Sequence, residues 1–231
     1  YAFRNKHTHF EKFRFKEIKL RGGRDQRRRG VFESNEYRKL YVFMRKWVNE
    51  AKKDLDEKTY LERFLIRDCV LIGANTMLRV GELWQLKWKD IKTIYEANTN
   101  TGKTVNIVEL NVRAETSKVR VSRIVKSRGG EYFKRIRKRS NFTNRDDFIF
   151  TQIESENRFR RESFYKYWHE LMEGAKIKDY KERKLTWYSL RHYGITTRLR
   201  AEIDVTTLAD IAGTSISQIE KHYGHIDSSM R

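Results

Sequence analysis

The sequence predicts a mainly α-helical domain with one small antiparallel β-sheet, an α+β arrangement. Three observations predict it. Apolar residues recur at intervals of three and four from Leu40 to Leu86 and again after Gly130, the period of an amphipathic helix. Between those blocks Thr104 to Val112 is rich in Val and Ile, and Val119, Val121 and Val125 fall at period two, which is strand chemistry. Proline is absent from all 231 residues, so no helix meets a residue that lacks the N–H donor.

Taken in order, residues 1–30 read as a basic linker or arm. Glycines and a charge run combine in Arg21-Gly22-Gly23-Arg24-Asp25-Gln26-Arg27-Arg28-Arg29-Gly30, and a solvated tail and a DNA-tracking arm are equally open. Residues 31–231 form the main domain. Ser34 precedes an acidic first turn, and Leu40, Phe43, Met44 and Trp47 follow at helical spacing, predicting a helix over 35–51. A second is predicted over 59–77, with Leu61, Phe64, Leu65, Cys69 and Ile72 on one face, and a short third over 81–88. The two Val-rich runs then make the sheet, with Lys118 in or beside its turn. Helices return over 130–139, 158–174, 188–200, 205–212 and 216–223. Asp204 can cap the penultimate one, Gly213 can end it in the left-handed conformation, and Ser215 to Gln218 fits a capping box for the last.

Charge narrows the function. Lys and Arg number 51 against 31 Asp and Glu, a net charge of +20, with an isoelectric point near 10.0. Such a balance points to a polyanion, most commonly nucleic acid, because each neutralised phosphate releases condensed counterions. Anionic membranes and ribosomes are the competing partners. The single cysteine, Cys69, lies in an apolar run, so no disulfide can form within the chain and a reducing compartment is expected. No apolar stretch approaches the roughly 20 residues needed to span a bilayer, and no secretory signal is visible. A soluble, cytoplasmic and DNA-associated protein is expected, on nucleoid or host-cell DNA, with no membrane partner.

Three segments bear chemistry. In the first, Leu78-Arg79-Val80-Gly81-Glu82-Leu83 sets an arginine at a helix junction in apolar surroundings, a costly place for a guanidinium unless it is paired or meets a phosphate. A structural ion pair between Arg79 and Glu82 is the plain alternative. In the second, Tyr188-Ser189-Leu190-Arg191-His192, Tyr188 and Arg191 stand three apart on one helical face and can address one ligand, or simply pack. In the third, Ile216, Ile219 and Tyr223 share a face of the last helix, where a tyrosine is ordinarily a packing residue.

Together, in this order and spacing, the segments resemble the tyrosine recombinase (phage integrase) family over roughly residues 33 to 225. The family's first box reads approximately Thr-Gly-Leu-Arg followed by Glu-Leu, matched by Leu78-Arg79 and Glu82-Leu83. Of its hairpin, typically Lys-Thr-Gly-Lys-Ser-Arg, the segment Lys118-Val119-Arg120-Val121-Ser122-Arg123 keeps the first lysine, the serine and the arginine. Its second box, His-x-Leu-Arg-His, appears with Tyr188 in place of the leading histidine. The family's Gly-His, or sometimes a tryptophan, nine residues before the nucleophile appears as Gly213-Thr214, and nine residues after Thr214 comes Tyr223.

The resemblance implies a tyrosine recombinase catalytic-domain fold. It also implies a catalytic set of Arg79, Lys118, Tyr188, Arg191, Thr214 and Tyr223, supported by Glu82 and His192. Tyr223 would attack a phosphodiester to leave a 3′-phosphotyrosine link, and Lys118 would protonate the departing 5′ oxygen. His192, His222 and His225 are candidates for the proton handling that Tyr188 cannot perform. Two arginines can meet the charge that builds on the non-bridging oxygens with preorganised forked donors in place of metal ions. Arg120 and Arg123 of the hairpin, with Arg158, Arg160 and Arg161, are expected to grip DNA, as is the basic run Lys134 to Arg139.

No cofactor is expected, because the covalent link conserves the phosphodiester's energy. Metal chemistry is a poor rival, since Asp146-Asp147 and Asp54/Asp56 are short acidic pairs without His or Cys at ligand spacing. Expected partners are double-stranded DNA, a homotetramer on two DNA sites and accessory DNA-bending proteins. The separate N-terminal core-binding domain of the family is not expected in this chain. Two rival functions remain in view: a DNA-binding module that has kept the fold and lost the chemistry, and a type IB topoisomerase or telomere resolvase.

Overall fold

The computed structural model describes residues 30–228, and the side chains only as far as Tyr223; the arm read over residues 1–30 lies, but for Gly30, outside them. Helix α1 (Ser34–Asp54) starts where Glu33 and Glu36 close a capping box, and α2 (Glu57–Thr76) starts where the Asp56 carboxylate accepts from Thr59 N–H at 2.9 Å. Such caps satisfy amide donors that the first turn leaves orphaned. α2 is buried along almost its whole second half, Phe64 to Ala74. It contacts α1, α4 (Gly130–Arg139), α5 (Arg161–Gly174), α6 (Trp187–Arg200) and the sheet. The main core forms around it. Trp187 stacks on Phe164 at 3.7 Å between ring centroids and tilts against Trp168 at 4.9 Å. Large buried side chains such as these contribute about 1.5–3 kcal/mol each.

α2 and α6 approach closely because Gly194 has no side chain; a Cβ there would stand 2.3 Å from the Ala74 carbonyl oxygen. This packing brings the C-terminus of α2 beside the middle of α6. A second, smaller core of Met77, Ile195, Leu208, Ala209, Ala212, Ile219 and Tyr223 joins that region to α7 (Val205–Ala212) and α8 (Ile216–Ser228). Asp204 caps α7 by accepting from Thr207 N–H at 2.8 Å, and Gly213 ends it at φ 63°, both as expected. Ser215 supplies half of the expected capping box, accepting from Gln218 N–H at 3.3 Å.

The sheet has three antiparallel strands in the order β1 (Ile91–Asn98), β2 (Thr104–Val112), β3 (Arg123–Arg128). β1 is an addition to the sequence reading. Its residues are exposed or half-buried throughout, so period-two burial never registers in its sequence. The strand expected over 119–125 is corrected to Arg123–Arg128: Arg120 takes a positive φ of 52°, which breaks the extended run, and Val119 and Val121 are 55% and 61% exposed. The helix expected over 81–88 is corrected to α3 (Val80–Trp84), and residues 88–90 form a separate 3-10 turn. A small hairpin, β4 (Thr151–Gln152) with β5 (Ser155–Arg158), precedes α5 and delays its start to Arg161. No helix of the described residues is long and apolar enough to cross a membrane.

Candidate active site

Helix ends build the site. α2 stops at Met77, which adopts the left-handed conformation at φ 56°, and α7 stops at Ala212-Gly213. The last carbonyls of a helix have no partner within it and carry its negative partial charge. Two guanidinium groups collect them. Arg191, on α6, donates from Nη1 to the Met77 carbonyl at 2.5 Å and to the Ala212 carbonyl at 2.7 Å. Arg79, at the N-cap of α3, donates from Nη2 to the Gly213 carbonyl and from Nη1 to Glu82 Oε1 at 2.8 Å. The two arginines of the sequence motifs, 112 positions apart along the chain by their numbers, are thus tied to the same α7–α8 turn.

Glu82 holds the arrangement together. Its carboxylate is buried and accepts from the Arg79 backbone N–H at 2.9 Å, and Arg123 reaches it from β3 with Nη1 at 3.0 Å and Nη2 at 2.7 Å. Burial pushes the Glu82 carboxyl upward, but hydrogen bonds and charge from Arg123, with Arg79 behind them, outweigh it and hold the group ionised below the usual range. The ion pair read between Arg79 and Glu82 is therefore present, and it fixes the direction of the guanidinium. Arg123 differs from expectation. Instead of turning outward toward phosphate, it pairs with Glu82 and donates from Nε to the Ile211 carbonyl at 3.2 Å.

Tyr223 is buried on α8, and its hydroxyl lies in hydrogen-bond contact with Nδ1 of His192 on α6. The Tyr188 ring sits edge-on to His192 at 4.9 Å between centroids and 67°. Burial raises the Tyr223 phenol well above its ordinary pKa; the Arg191 charge opposes this and Tyr188 adds to it. Arg191 is lowered chiefly by burial, with the like charge of Arg79 in the same direction, while Tyr188, Glu82 and Tyr223 pull the other way. Arg191 thus lies within electrostatic reach of Arg79, Tyr188, Glu82 and Tyr223. Among the described residues no protein group accepts from Arg191 Nε or Nη2, which leaves one edge of the guanidinium for a ligand.

Thr214 is half-buried in the same turn, its N–H donating to the Ala209 carbonyl at 3.0 Å. Lys118 stands apart. It is exposed on the β2–β3 connection and makes no hydrogen bond or ion pair with the described residues. The base of that connection is fixed by Arg113, which the sequence reading missed: it bridges Asp90 at 2.9 Å, Glu115 at 2.6 Å and the Gln85 carbonyl at 2.8 Å. Arg120 is exposed on the same connection. Arg158, Arg160 and Arg161 are exposed around the start of α5, which Trp84 ties to α3 by donating to the Phe159 carbonyl at 3.1 Å. In the run Lys134 to Arg139, Arg135 is instead engaged with buried Asp68 at 2.7 Å. His222 has its ring 6.4 Å from that of Tyr223, and the His225 side chain lies outside the described ones. Among the described residues no group of three His, Cys, Asp or Glu side chains is placed to hold a metal ion.

Comparison with solved structures finds the same fold in DNA recombinases. The chain is similar to XerH site-specific recombinase bound to palindromic difH substrate in a post-cleavage complex, with a TM-score of 0.62 and 18% identity over 87% of this chain and 51% of that one. It is also similar to the Tn1549 transposon integrase in complex with transposon right end DNA, with a TM-score of 0.55 and 16% identity over 86% of this chain and 62% of that one. The chain therefore spans between half and two thirds of the recombinases it matches, and at these identities the likeness is one of fold. No curated protein matches the sequence. The model of the phage integrase family matches residues 31–230, and with the Arg79, Arg191 and Tyr223 segments all inside that span, the chain belongs to the phage integrase family.

Proposed function

We propose that this chain is the catalytic domain of a site-specific DNA recombinase that cleaves and rejoins DNA through a 3′-phosphotyrosine intermediate on Tyr223. The observation that supports it most is the meeting of Arg79, Arg191 and Tyr223, from three separate elements, around the α7–α8 turn. Among the described residues one edge of the Arg191 guanidinium has no acceptor, and Arg79 is partly exposed beside it. A scissile phosphate seated there would have its non-bridging oxygens met by two fixed cations, which are worth most where charge develops in the transition state.

The Tyr223 oxygen attacks phosphorus, the bond to the 5′ oxygen breaks, and the strand's 3′ phosphate stays on the enzyme. Lys118, on its exposed connection, reaches the departing oxygen as proton donor once DNA lies across the face; Thr214 and Tyr188 supply hydrogen bonds to the phosphate. Rejoining reverses these steps without nucleotide hydrolysis, and no metal ion is assigned a part. Arg120, Arg158, Arg160 and Arg161 track the backbone, consistent with the +20 charge, whereas Arg123 acts from within. In this reading the working assembly is a homotetramer on two duplexes, assisted by DNA-bending proteins, on nucleoid or host-cell DNA.

A nicked suicide duplex, from which the cleaved end diffuses away, tests this. Wild-type protein accumulates a covalent adduct that mass spectrometry maps to Tyr223, and Tyr223→Phe does not. An adduct-free wild type that still binds DNA would instead make the chain a binding module.

A further inference from the structure

The nucleophile needs a proton acceptor, and the position where the family places a leading histidine is occupied here by Tyr188. A phenol is a poor base at neutral pH. One turn further along α6 stands His192, half-buried, whose Nδ1 is in hydrogen-bond contact with the Tyr223 hydroxyl. The two rings lie 5.5 Å apart at 50°. We propose that His192 is the base that takes the Tyr223 phenolic proton as attack begins, a role that rests on the recombinase reading above.

Geometry supports it from each side. The Tyr188 ring, edge-on to the imidazole, restrains its plane. With Nδ1 accepting from the phenol, the neutral ring keeps its proton on Nε2. The charged and titratable groups facing this pair are Tyr188 and Arg191 from α6 and His222 from α8, with Arg79 and Glu82, from the α2–α3 junction and α3, behind them against Arg191. Burial holds Tyr223 in its protonated form, so the phenol does not ionise spontaneously at neutral pH. In the forward step the O–H bond breaks toward Nδ1 while the Oη–P bond forms. The P–O5′ bond then breaks with its electron pair on oxygen, which Lys118 protonates. On rejoining, the imidazolium returns its proton to Oη.

The test measures the rate of adduct formation on the nicked duplex from pH 6 to 10, with DNA affinity followed by fluorescence anisotropy. Wild-type protein should rise with the ionisation of an imidazole and then level off. His192→Asn keeps an acceptor near the Nδ1 position but cannot take a proton. It should bind DNA normally, cleave about 10²–10⁴-fold more slowly at pH 7, and gain about tenfold per pH unit as hydroxide substitutes. Added imidazole should restore part of the rate to His192→Ala.

A His192→Asn protein at wild-type rate overturns the proposal. So does a slow one whose pH profile has the wild-type shape, because that marks a positioning role. If neither variant folds, the wild-type profile decides, and a rate climbing to pH 10 without a plateau overturns it. Failure of the recombinase reading looks different: wild type makes no adduct at any pH, or Tyr223→Phe makes one, and the role of His192 then falls with it.

Discussion

Arg123 and Glu82, from β3 and α3, form a two-point ion pair with Nη1···Oε1 at 3.0 Å and Nη2···Oε2 at 2.7 Å. The Glu82 side chain is 1% exposed and that of Arg123 12%. Because Arg123 also donates to the Ile211 carbonyl, it fastens the strand that follows Lys118 to the helix that precedes Thr214. Arg123→Ala leaves a buried carboxylate with Arg79 as its remaining cation, a loss of about 3 kcal/mol. Arg123→Lys should recover little, since an ammonium cannot span both oxygens. Denaturant midpoints measure both.

Stability should depend on pH through the same carboxylate. The pKa of Glu82 is lowered in the folded protein from its ordinary 4.5, so the unfolded chain takes up the proton first as acid is added. The stabilisation is complete above pH 4.5 and is lost as pH falls below 4.5 through the depressed folded value. Glu82→Gln lacks this proton linkage. Its deficit against wild type, about 3 kcal/mol at pH 7, should shrink toward pH 3, and thermal melts across that range would show a constant gap if the linkage lay elsewhere.

The helices and the family were legible in the sequence because periodicity and motif spacing are local. α4, α7 and β2 fall within the ranges their patterns indicate, and the caps at Asp204 and Gly213 use backbone rules that need no tertiary partner. β1 escapes because none of its residues is fully buried, and the third strand is expected too early because Val119 and Val121 look like strand residues but are more than half exposed. Around Arg79 the local partner, Glu82 three residues on, was legible and the distant partners were not. Arg123 reads as one more basic residue of a hairpin, and only folding brings Glu82 opposite it. The Met77, Ala212 and Gly213 carbonyls leave no trace in side-chain identity.

Arg191 should separate binding from chemistry. The edge that has no acceptor among the described residues is the one proposed to meet the phosphate, while Nη1 is held by the carbonyls of Met77 and Ala212. Arg191→Ala should retain most DNA affinity at moderate salt, because one contact among many phosphates is lost, yet lose at least about 10²–10³-fold in adduct formation, as transition-state donors do. Equal losses in binding and cleavage would place Arg191 in ground-state binding.

Gly213 tests the turn. Its φ of 63° disfavours a side chain, and a Cβ would stand 2.6 Å from the Arg123 guanidinium. Gly213→Ala must therefore displace Arg123 from Glu82 or shift the turn bearing Thr214 and the carbonyl that Arg79 uses. A stability loss of about 1–3 kcal/mol should come with a larger proportional loss of cleavage than of DNA affinity.

Salt dependence distinguishes the arginines that track DNA from the one that acts within the fold. Arg120, Arg158, Arg160 and Arg161 are exposed, and each that neutralises a phosphate contributes about one unit to the slope of log affinity against log salt. Replacing Arg158, Arg160 and Arg161 together by Ala should flatten that slope by about two to three units while leaving thermal stability nearly unchanged. Arg123→Ala should do the reverse, lowering stability with almost no change in slope, because its guanidinium is already occupied by Glu82. A slope that drops by a full unit in Arg123→Ala would return that residue to the DNA surface.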